Sequence, residues 1–494
     1  MTVESDVPTY RFGPRETAGV MLGLRAGQLA LLAVGLLAVL VGLQYGTAGF
    51  AVSLVPALLL AVVAFLPFAG RQLDQWVPIG LAHVFRRVNG QLAFRSGPAA
   101  LGERGQVPEL DLPGRLHPLR LLAMPAGGAV IAVVKDPGRK TYTAVLACRG
   151  QSFALLESGA QTRRVWAWGS LLAALCQENG KIVRLAWQER AIPDSGDAME
   201  RWWAGRGVDD GSPAAEAYKQ LLAQAGPVAQ VHETYLTVTL SAKAAARQIK
   251  QAGGGEAGAF TVLLRELRAI EDGLAQAEVE TAGWLPPRRL AQVVRSAYDP
   301  AGAAGIDRRG GHHGGLDAGV EPAVAGPMAA KAEWDHYRTD SALHATYWVA
   351  EWPRMNVHAG FLTPLLLGSG VRRTMTVIAE PLSPSKAHRE VRKAKVNRAA
   401  DDEARRKIRQ TKTQRSERED EEVHAREAEL VNGHGDYRFL GMIAVSAPTR
   451  AELEDACGSV EQAAAKSLLE IRRLYGEQDE AFGIAALPLG RGLK

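Results

Sequence analysis

The sequence predicts α+β cytoplasmic domains with a mostly antiparallel sheet, preceded by an N-terminal transmembrane helical hairpin. Three observations support this fold class: two long uncharged apolar runs lie near the N-terminus, later segments alternate apolar and polar residues, and others carry apolar residues at helical spacing. The chain has 494 residues, of which 47% are hydrophobic, so it can form one or two buried cores. Its formal net charge of +5 is too small to identify a nucleic-acid-binding protein unless the charges cluster. Contact with nucleic acid is therefore possible, but the sequence does not support it.

The predicted transmembrane hairpin covers residues 26–69. Its apolar runs extend from Leu29 to Leu43 and from Ala48 to Phe68, and neither contains a charged residue. An α-helix needs about 20 apolar residues to cross the hydrocarbon core, and the short link between the runs permits only a tight turn. The residues assigned to the spans are Leu29, Leu36, Leu43, Ala48, Pro56 and Leu66.

The charges that flank the hairpin predict its orientation. Arginines precede it at Arg11, Arg15 and Arg25, others follow it at Arg71, Arg86 and Arg87, and the link has none. By the positive-inside rule both ends of the chain are cytoplasmic, which makes residues 1–25 a cytoplasmic tail of a two-pass inner-membrane protein. A signal peptide is the competing interpretation of the first run, but acidic residues in the leader and the second run disfavour it.

Residues 70–115 are predicted to form a juxtamembrane helix and a linker. In "WVPIGLAHVFRRVNG", which begins at Trp76, the apolar residues lie near one face, as in an interfacial helix that leaves the membrane. A short core helix of the next domain is the alternative. The glycine- and proline-rich text from Gly97 to Gly114 is typical of a linker.

Residues 116–210 are predicted to form a small antiparallel sheet with one helix. Two β-branched stretches flank the turn sequence Asp136-Pro137-Gly138, which indicates a hairpin. A strand over "SFALLE", a helix over "TRRVWAWGSLLAALCQEN" and a strand over "KIVRLAWQERAIPD" follow.

Residues 211–494 are predicted to form an α+β domain. The helix "SPAAEAYKQLLAQAG" precedes a half-buried strand, "HETYLTVTLS", whose His-x-Thr-Tyr start at His232 is echoed by "HATYWVAEWP" at His344. Two helices lie between these strands, "RRTMTVIAEPL" and "DYRFLGMIAVSA" are further strands, and one long amphipathic helix is predicted over "TRAELEDACGSVEQAAAKSLLEIRRLYG".

Two inserts interrupt this domain. Residues 302–326 are a glycine-rich loop, in which His312 and His313 have only Asp307 and Asp317 as nearby carboxylates, so a flexible loop is favoured over a metal site. Residues 385–430 have a basic first part and an acidic second part. They are predicted to form an exposed helix or a helical hairpin whose two parts can pair.

The motif search predicts no catalytic, cofactor-binding or metal-binding residues, and therefore no enzyme. No GxxxxGK[ST], GxSxG or HExxH motif occurs. "GGGEAG" at Gly253 fits GxGxxG but follows a helix-like segment, so a loop between helices is favoured. Cys148, Cys176 and Cys457 are far apart in sequence, which predicts reduced thiols.

Several segments carry a resemblance to secretion proteins. The hairpin and its basic flanks resemble the PrgI-type small membrane subunit of type IV secretion and conjugation systems. The remainder resembles the N-terminal, non-motor part of the TraC-type conjugation ATPases, and an actinobacterial family of conjugative-element membrane proteins has the same organisation. The second resemblance is carried by "TYLTVTLS", "LRAIEDGLAQAEVETAGWLPPRRLAQVVRSAYDP", "HATYWVAEWPRMNVHAGFLTPLLL" and "RRLYGEQDEAFGIAALPLGRG".

A different class of secretion protein gives the alternative. EccE-type components of type VII secretion also begin with two transmembrane helices, a basic stretch and a cytoplasmic α/β domain. This resemblance covers the first hundred residues and the general layout, but it leaves "GEQDEAFGIAALPLGRG" unexplained.

The type IV resemblance implies a non-enzymatic inner-membrane scaffold of a conjugative DNA-transfer machine. In the TraC-type family "AALPLG" leads into the nucleotide-binding motor, so the chain is expected to stop where the motor begins and to dock a separate hexameric ATPase. Its other partners would be the bilayer and secretion-channel subunits, in several copies. The candidate docking residues are Leu468, Leu474, Phe482, Ile484, Leu487 and Leu489; the alternative is that they form the domain's own core.

Overall fold

A computed structural model describes residues 9–10, 24, 26–68, 71–96, 110–150, 153–193, 197–225, 230–303, 305–306, 319–353, 355–368, 370–407 and 414–492. The chain divides into two compact units. The sheet unit comprises Met1–Phe12, Leu92–Ser383 and Gly435–Lys494. The helical unit comprises Gly13–Gln91 and Pro384–His434.

The strands, in chain order, are β1 Thr9–Tyr10, β2 Pro67–Phe68, β3 Arg71–Gln72, β4 Ala93–Arg95, β5 Arg120–Ala126, β6 Ala129–Asp136, β7 Thr141–Cys148, β8 Ile182–Pro193, β9 Gln230–Ser241, β10 Thr281–Trp284, β11 Ala329–Ala332, β12 Tyr337–Arg338, β13 Leu343–Glu351, β14 Val357–His358, β15 Arg372–Pro381, β16 Tyr437–Ala447 and β17 Glu470–Arg473. The α-helices are α1 Ala26–Leu43, α2 Gly46–Phe65, α3 Leu73–Val88, α4 Ser158–Leu175, α5 Asp197–Arg206, α6 Pro213–Ala225, α7 Ala246–Gln251, α8 Gly255–Gln276, α9 Pro287–Tyr298, α10 Thr363–Leu366, α11 Pro384–Lys407, α12 Gln414–Val431, α13 Arg450–Lys466 and α14 Gln478–Ala485. Short 3₁₀ helices lie at Gly114–Leu116, Phe153–Leu155 and Pro322–Val324.

In the helical unit, α2 is the one described helix that is long and apolar enough to cross a membrane, with 20 residues and a mean hydropathy of 2.4. Helix α1 is apolar but shorter, so the structure shows one candidate span and leaves the two-span hairpin a prediction. The two helices pack closely, since a Cβ on Gly42 would lie 2.7 Å from the Gly49 carbonyl oxygen. Small residues allow such close approach of two helix backbones.

The predicted membrane residues lie on these two helices or directly after them. Leu36, Leu43 and Leu66 are more than half exposed, while Ala48 and Pro56 are also exposed. Leu29 is partly buried. Exposed leucines on an apolar helix are unfavourable in water and favourable in hydrocarbon, so their exposure agrees with a membrane location.

Helix α3 exposes the apolar face that the sequence predicts. The exposed residues are Val77, Leu81, Val84, Phe85 and Val88. An apolar helix face without core packing favours the interfacial interpretation over a core helix.

The charged insert forms α11 and α12. Lys395 forms an ion pair with Glu427, and Arg426 lies 3.8 Å from Glu390. The oppositely charged helices therefore contact each other through ion pairs, as the charge pattern indicates.

The sheet unit contains one large sheet, in which every pair of strands is antiparallel. Its order among the described residues is β4-β11-β12-β13-β16-β15-β8-β9-β7-β6-β5, with β10 beside β7 and β17 beside β13. The predicted boundary between domains 116–210 and 211–494 does not separate two sheets, because β8 lies between β9 and β15. Pairing of β8 with β15 joins residues far apart in the chain, which local patterns do not encode.

Helices cover both faces of this sheet. On β9, Leu236, Val238 and Leu240 face a core formed with α4 and α8. The alternate residue Tyr235 faces a second core formed with α9 and α14. A third core lies between β13, β16 and α13. The period-two alternation of β9 thus divides the unit into layers.

Several predicted elements differ from the structure. The strand expected over "SFALLE" is wrong where the structure describes it, because Phe153–Leu155 form a 3₁₀ helix. The long helix expected after Thr449 ends at Lys466, because Leu468 adopts φ 58° and β17 then pairs with β13. The glycine-rich loop of residues 302–326 lies largely outside the described residues, and His312 and His313 lie wholly outside them.

Candidate functional site

The last described segment of the chain lies on one face of the sheet. Helix α14 carries Phe482, whose ring centroid lies 4.4 Å from that of His344, 5.3 Å from Tyr298 and 5.4 Å from Tyr337. Phe482 is almost completely buried. Contacts of an aromatic ring with several others add to the free energy of its burial, so α14 is anchored firmly to the sheet unit.

The six candidate docking residues have different surroundings. Leu474, Phe482, Leu487 and Leu489 are buried, and Ile484 packs against the same core. Leu468 is 48% exposed. Docking of a partner at these residues stays a prediction, but the burial favours the alternative that most of them are the domain's own core.

Polar side chains of the sheet hold the end of α14. Gln188 Nε2 donates to the Ala485 carbonyl oxygen at 3.1 Å, and Thr376 Oγ1 donates to the same oxygen at 2.7 Å. At the start of the helix, the buried Gln478 accepts a hydrogen bond from the Thr346 backbone N–H at 2.9 Å. Buried hydrogen bonds of this kind fix the direction in which the segment leaves the helix.

Beyond the helix, Gly490 lies directly on the sheet. Its φ is +69°, and a Cβ there would clash with Thr143 Oγ1 and lie 2.8 Å from Thr239 Oγ1. The two threonine hydroxyls lie 3.1 Å apart on neighbouring strands. Glycine is required here both by the backbone conformation and by the close approach.

Arg184 connects this segment to a carboxylate. Its Nη1 donates to the Gly490 carbonyl oxygen at 2.5 Å, and its Nε and Nη2 donate to Glu380 Oε1 at 2.9 Å and 2.5 Å. Arg184 is buried on β8, and Glu380 lies on the adjacent strand β15. The guanidinium thus satisfies most of its donors within the protein.

Arg491 makes a second connection. Its Nη1 lies 3.0 Å from Asp136 Oδ2, and its Nη2 donates to the Arg115 carbonyl oxygen at 2.6 Å. Arg115 in turn lies 2.9 Å from Glu480. Burial lowers the pKa of Arg491, and Arg139, Arg184 and Arg115 lower it further. We call the four arginines with the three carboxylates Asp136, Glu380 and Glu480 the arginine cluster.

His344 is a fully satisfied core histidine. Its Nε2 lies 2.7 Å from Thr339 Oγ1 and its Nδ1 lies 2.8 Å from Ser446 Oγ. Burial, with smaller effects of Arg372 and His336, lowers its pKa from 6.5 to about 3. A histidine held neutral between two hydroxyls inside the core serves packing and polar satisfaction.

The echoed histidine, His232, has a different environment. Its Nδ1 lies 3.1 Å from Glu189 Oε1, and Thr234 donates to the other oxygen of that carboxylate at 2.5 Å. Burial raises the pKa of Glu189 against the effect of these hydrogen bonds. The sequence echo at His232 and His344 therefore does not correspond to two equivalent sites.

A separate groove of about 260 Å³ lies beside α4. Phe153, Val165, Trp168 and Val279 contribute its apolar part. Two ion pairs flank it, Arg149 with Glu280 at 3.0 Å and Arg164 with Glu278 at 2.8 Å.

The cysteines and the possible metal ligands among the described residues form no cluster. In the part of the chain that the structure describes, no three His, Cys, Asp or Glu side chains lie together as a metal site. Cys148, Cys176 and Cys457 are free. Burial raises the pKa of the Cys148 thiol to about 11, which disfavours the reactive thiolate.

Sequence reasoning missed the arginine cluster. Asp136 was interpretable only as a turn residue, and Arg184 only as a polar position on a strand. The glycines around Arg491 in "LGRGLK" were a signal of close backbone approach, but no local pattern indicates which strands they approach.

Comparison with protein families finds one match. Residues 228–349 match the family described as "Putative type VII ESX secretion system translocon, EccE". No curated protein matches the chain. The matched segment contains Tyr298, Tyr337 and His344, so it supplies the aromatic surroundings of Phe482.

This match corrects the main interpretation of the sequence. The expected relationship to PrgI-type subunits and TraC-type conjugation ATPases is wrong, because the family that matches is a type VII secretion family. The predicted conjugative DNA-transfer role and the predicted conjugation ATPase partner depended on that relationship and are wrong as well. Of the patterns that suggested them, "TYLTVTLS" lies within the EccE match, and "HATYWVAEWP" begins within it and ends beyond it; alternating apolar residues are shared by many half-buried strands.

Proposed function

We propose that this protein is a membrane-anchored structural component of a type VII secretion translocon. The observation that carries the proposal is the EccE match over residues 228–349. The apolar helix α2 and the exposed apolar face of α3 support a membrane location.

The anchor consists of α1 and α2 as a two-pass hairpin with both chain ends in the cytoplasm, and α3 lies at the membrane surface. The exposed leucines of both helices, their close packing at Gly42 and Gly49, and the flanking arginines support this topology. The sheet unit then faces the cytoplasm, where other translocon subunits contact it, and the complex contains several copies of this chain.

The role is structural and not catalytic. His344 is held neutral by burial and lies between two hydroxyls, and Cys148 is shielded. Nucleotide hydrolysis by the purified chain, free of contaminating ATPase and lost with a substitution in this chain, would contradict this assignment.

Affinity purification from detergent-solubilised membranes of the native host tests the translocon role. The tagged chain is expected to migrate in a complex much larger than 52.9 kDa and to bring other type VII translocon subunits, identified by mass spectrometry. Val55→Arg with Leu58→Arg in α2 should abolish both membrane recovery and the complex, since each arginine costs about 3 kcal/mol near the centre of a span.

Val208→Arg is the matched control, because Val208 is exposed in the sheet unit and an added arginine there removes no membrane contact. It should leave recovery unchanged. Purification of the intact chain alone, or with subunits of another secretion machine, would contradict the proposal.

A further inference from the structure

The arginine cluster has more positive than negative charge. Its three carboxylates are each paired with a different arginine: Glu380 with Arg184, Asp136 with Arg491 and Glu480 with Arg115. Arg139 completes the cluster but has no carboxylate of its own.

Arg139 contributes its backbone to the cluster and leaves its side chain at the surface. The backbone N–H donates to Asp136 Oδ1 at 3.1 Å, which fixes the turn between β6 and β7. Within the described residues no carboxylate forms an ion pair with the Arg139 guanidinium. Its side chain is exposed; desolvation and the nearby Arg184 lower its pKa, whereas Asp136 and Glu380 raise it.

A buried arginine of the cluster also has a donor without an acceptor. Arg491 Nε is buried and has no hydrogen-bond partner. A buried donor without an acceptor is costly and uncommon in native structures. Arg184 and Arg491 are each paired with a carboxylate, so the charge of the cluster that no ion pair compensates is that of Arg139.

We propose that the arginine cluster is a binding site for a phosphate group, held at the surface by Arg139 and Arg115. Two exposed guanidinium forks match the several oxygens of a phosphate dianion. The phosphate would compensate the excess positive charge of Arg139, and its oxygens would accept hydrogen bonds from the guanidinium groups of Arg139 and Arg115. A carboxylate supplies less charge and fewer oxygens. The C-terminal segment that carries Gly490 and Arg491 would become more firmly seated when the site is filled.

Calorimetric titration of the full-length, detergent-solubilised chain with inorganic pyrophosphate, at constant ionic strength, tests the site. The wild type is expected to bind saturably. Arg139→Gln should weaken binding by about tenfold, because a charge-assisted hydrogen bond is lost, and Arg139→Lys should weaken it less. Arg139 is exposed, and its side chain forms no ion pair within the described residues, so these variants are expected to retain the fold.

Arg149→Gln is the control, since Arg149 is an exposed arginine in the sheet unit that lies outside the cluster. It should bind pyrophosphate as the wild type does. Absence of saturable binding by the wild type, an unchanged affinity of Arg139→Gln, or equal losses in Arg139→Gln and Arg149→Gln would each overturn the proposal.

The source of the phosphate is distinguished by parallel titrations with glycerol 3-phosphate and ATP. Tighter binding of glycerol 3-phosphate indicates a lipid headgroup, and tighter binding of ATP indicates a nucleotide. Either preference supports the site if Arg139→Gln removes it. The result is independent of the translocon role, because it uses the purified chain alone.

Discussion

At the scale of single residues, the buried His344 makes the free energy of unfolding depend on pH. His344 is buried between Thr339 and Ser446, and its folded-state pKa is about 3, compared with 6.5 for an ordinary histidine. Between these two values the unfolded chain binds a proton that the folded chain excludes. Stability from this residue is therefore complete above pH 6.5 and is lost as the pH falls below it.

We expect acidification from pH 7 to pH 5 to reduce the free energy of unfolding by about 2 kcal/mol through His344. His344→Gln, which can still hydrogen-bond but cannot titrate, should show a pH dependence shallower by that amount. Urea unfolding followed by tryptophan fluorescence at both pH values measures it. Parallel pH dependences in the two proteins would show that His344 titrates normally.

At the scale of elements, α14 and the segment after it are attached to the sheet by several kinds of contact. Phe482 fills an aromatic core, Gln188 and Thr376 bind the helix end, and Gly490 lies against two threonines. The sheet unit therefore incorporates this segment as a packed layer. Leu468, exposed at the turn before β17, is the candidate docking residue that a partner could contact without disturbing the core.

Gly490→Ala should destabilise the sheet unit by about 2 kcal/mol or more, because the methyl group meets Thr143 and Thr239 in addition to the backbone strain. Gly211→Ala separates the two effects. Gly211 has a similar φ of +67° but no atom within 4 Å of its added Cβ, so only the strain of about 1 kcal/mol is expected. Thermal unfolding of both variants provides the comparison; equal shifts would contradict the close approach at Gly490.

For the whole molecule, the membrane topology decides which surfaces are accessible from each side of the membrane. Helix α2 is the candidate span that the structure supports, and α1 is shorter. The turn between them is formed by Gln44 and Tyr45, and Tyr45 is exposed. The proposed two-pass hairpin would place this turn outside the membrane, on the side opposite both ends of the hairpin.

Cysteine labelling tests that topology. Tyr45→Cys should react with a membrane-impermeant maleimide in intact cells, whereas Gln91→Cys, after α3, should react only after lysis. The wild type gives the background, because Cys176 and Cys457 are buried and Cys148 is partly so. Labelling of Gln91→Cys in intact cells, or of Tyr45→Cys only after lysis, would contradict the two-pass arrangement.

The sequence by itself determined the local elements. Alternation predicted β9, the echo of its first residues predicted β13, helical spacing predicted α4, turn chemistry predicted the hairpin of β6 and β7, and an uncharged apolar run predicted α2. These succeeded because each depends on neighbouring residues. The helix past Lys466 failed because pairing of β17 with β13 overrides the helical pattern.

Only the tertiary structure decided the strand order and the arginine cluster. Arg115, Arg139, Arg184 and Arg491 are distant in sequence and meet because β8 pairs with both β9 and β15 and the last segment crosses that sheet. Non-local strand pairing is selected by packing of the whole chain, and no local period records it. The same reason separates the buried His344 from the surface-lying His232, although the sequence presents them alike.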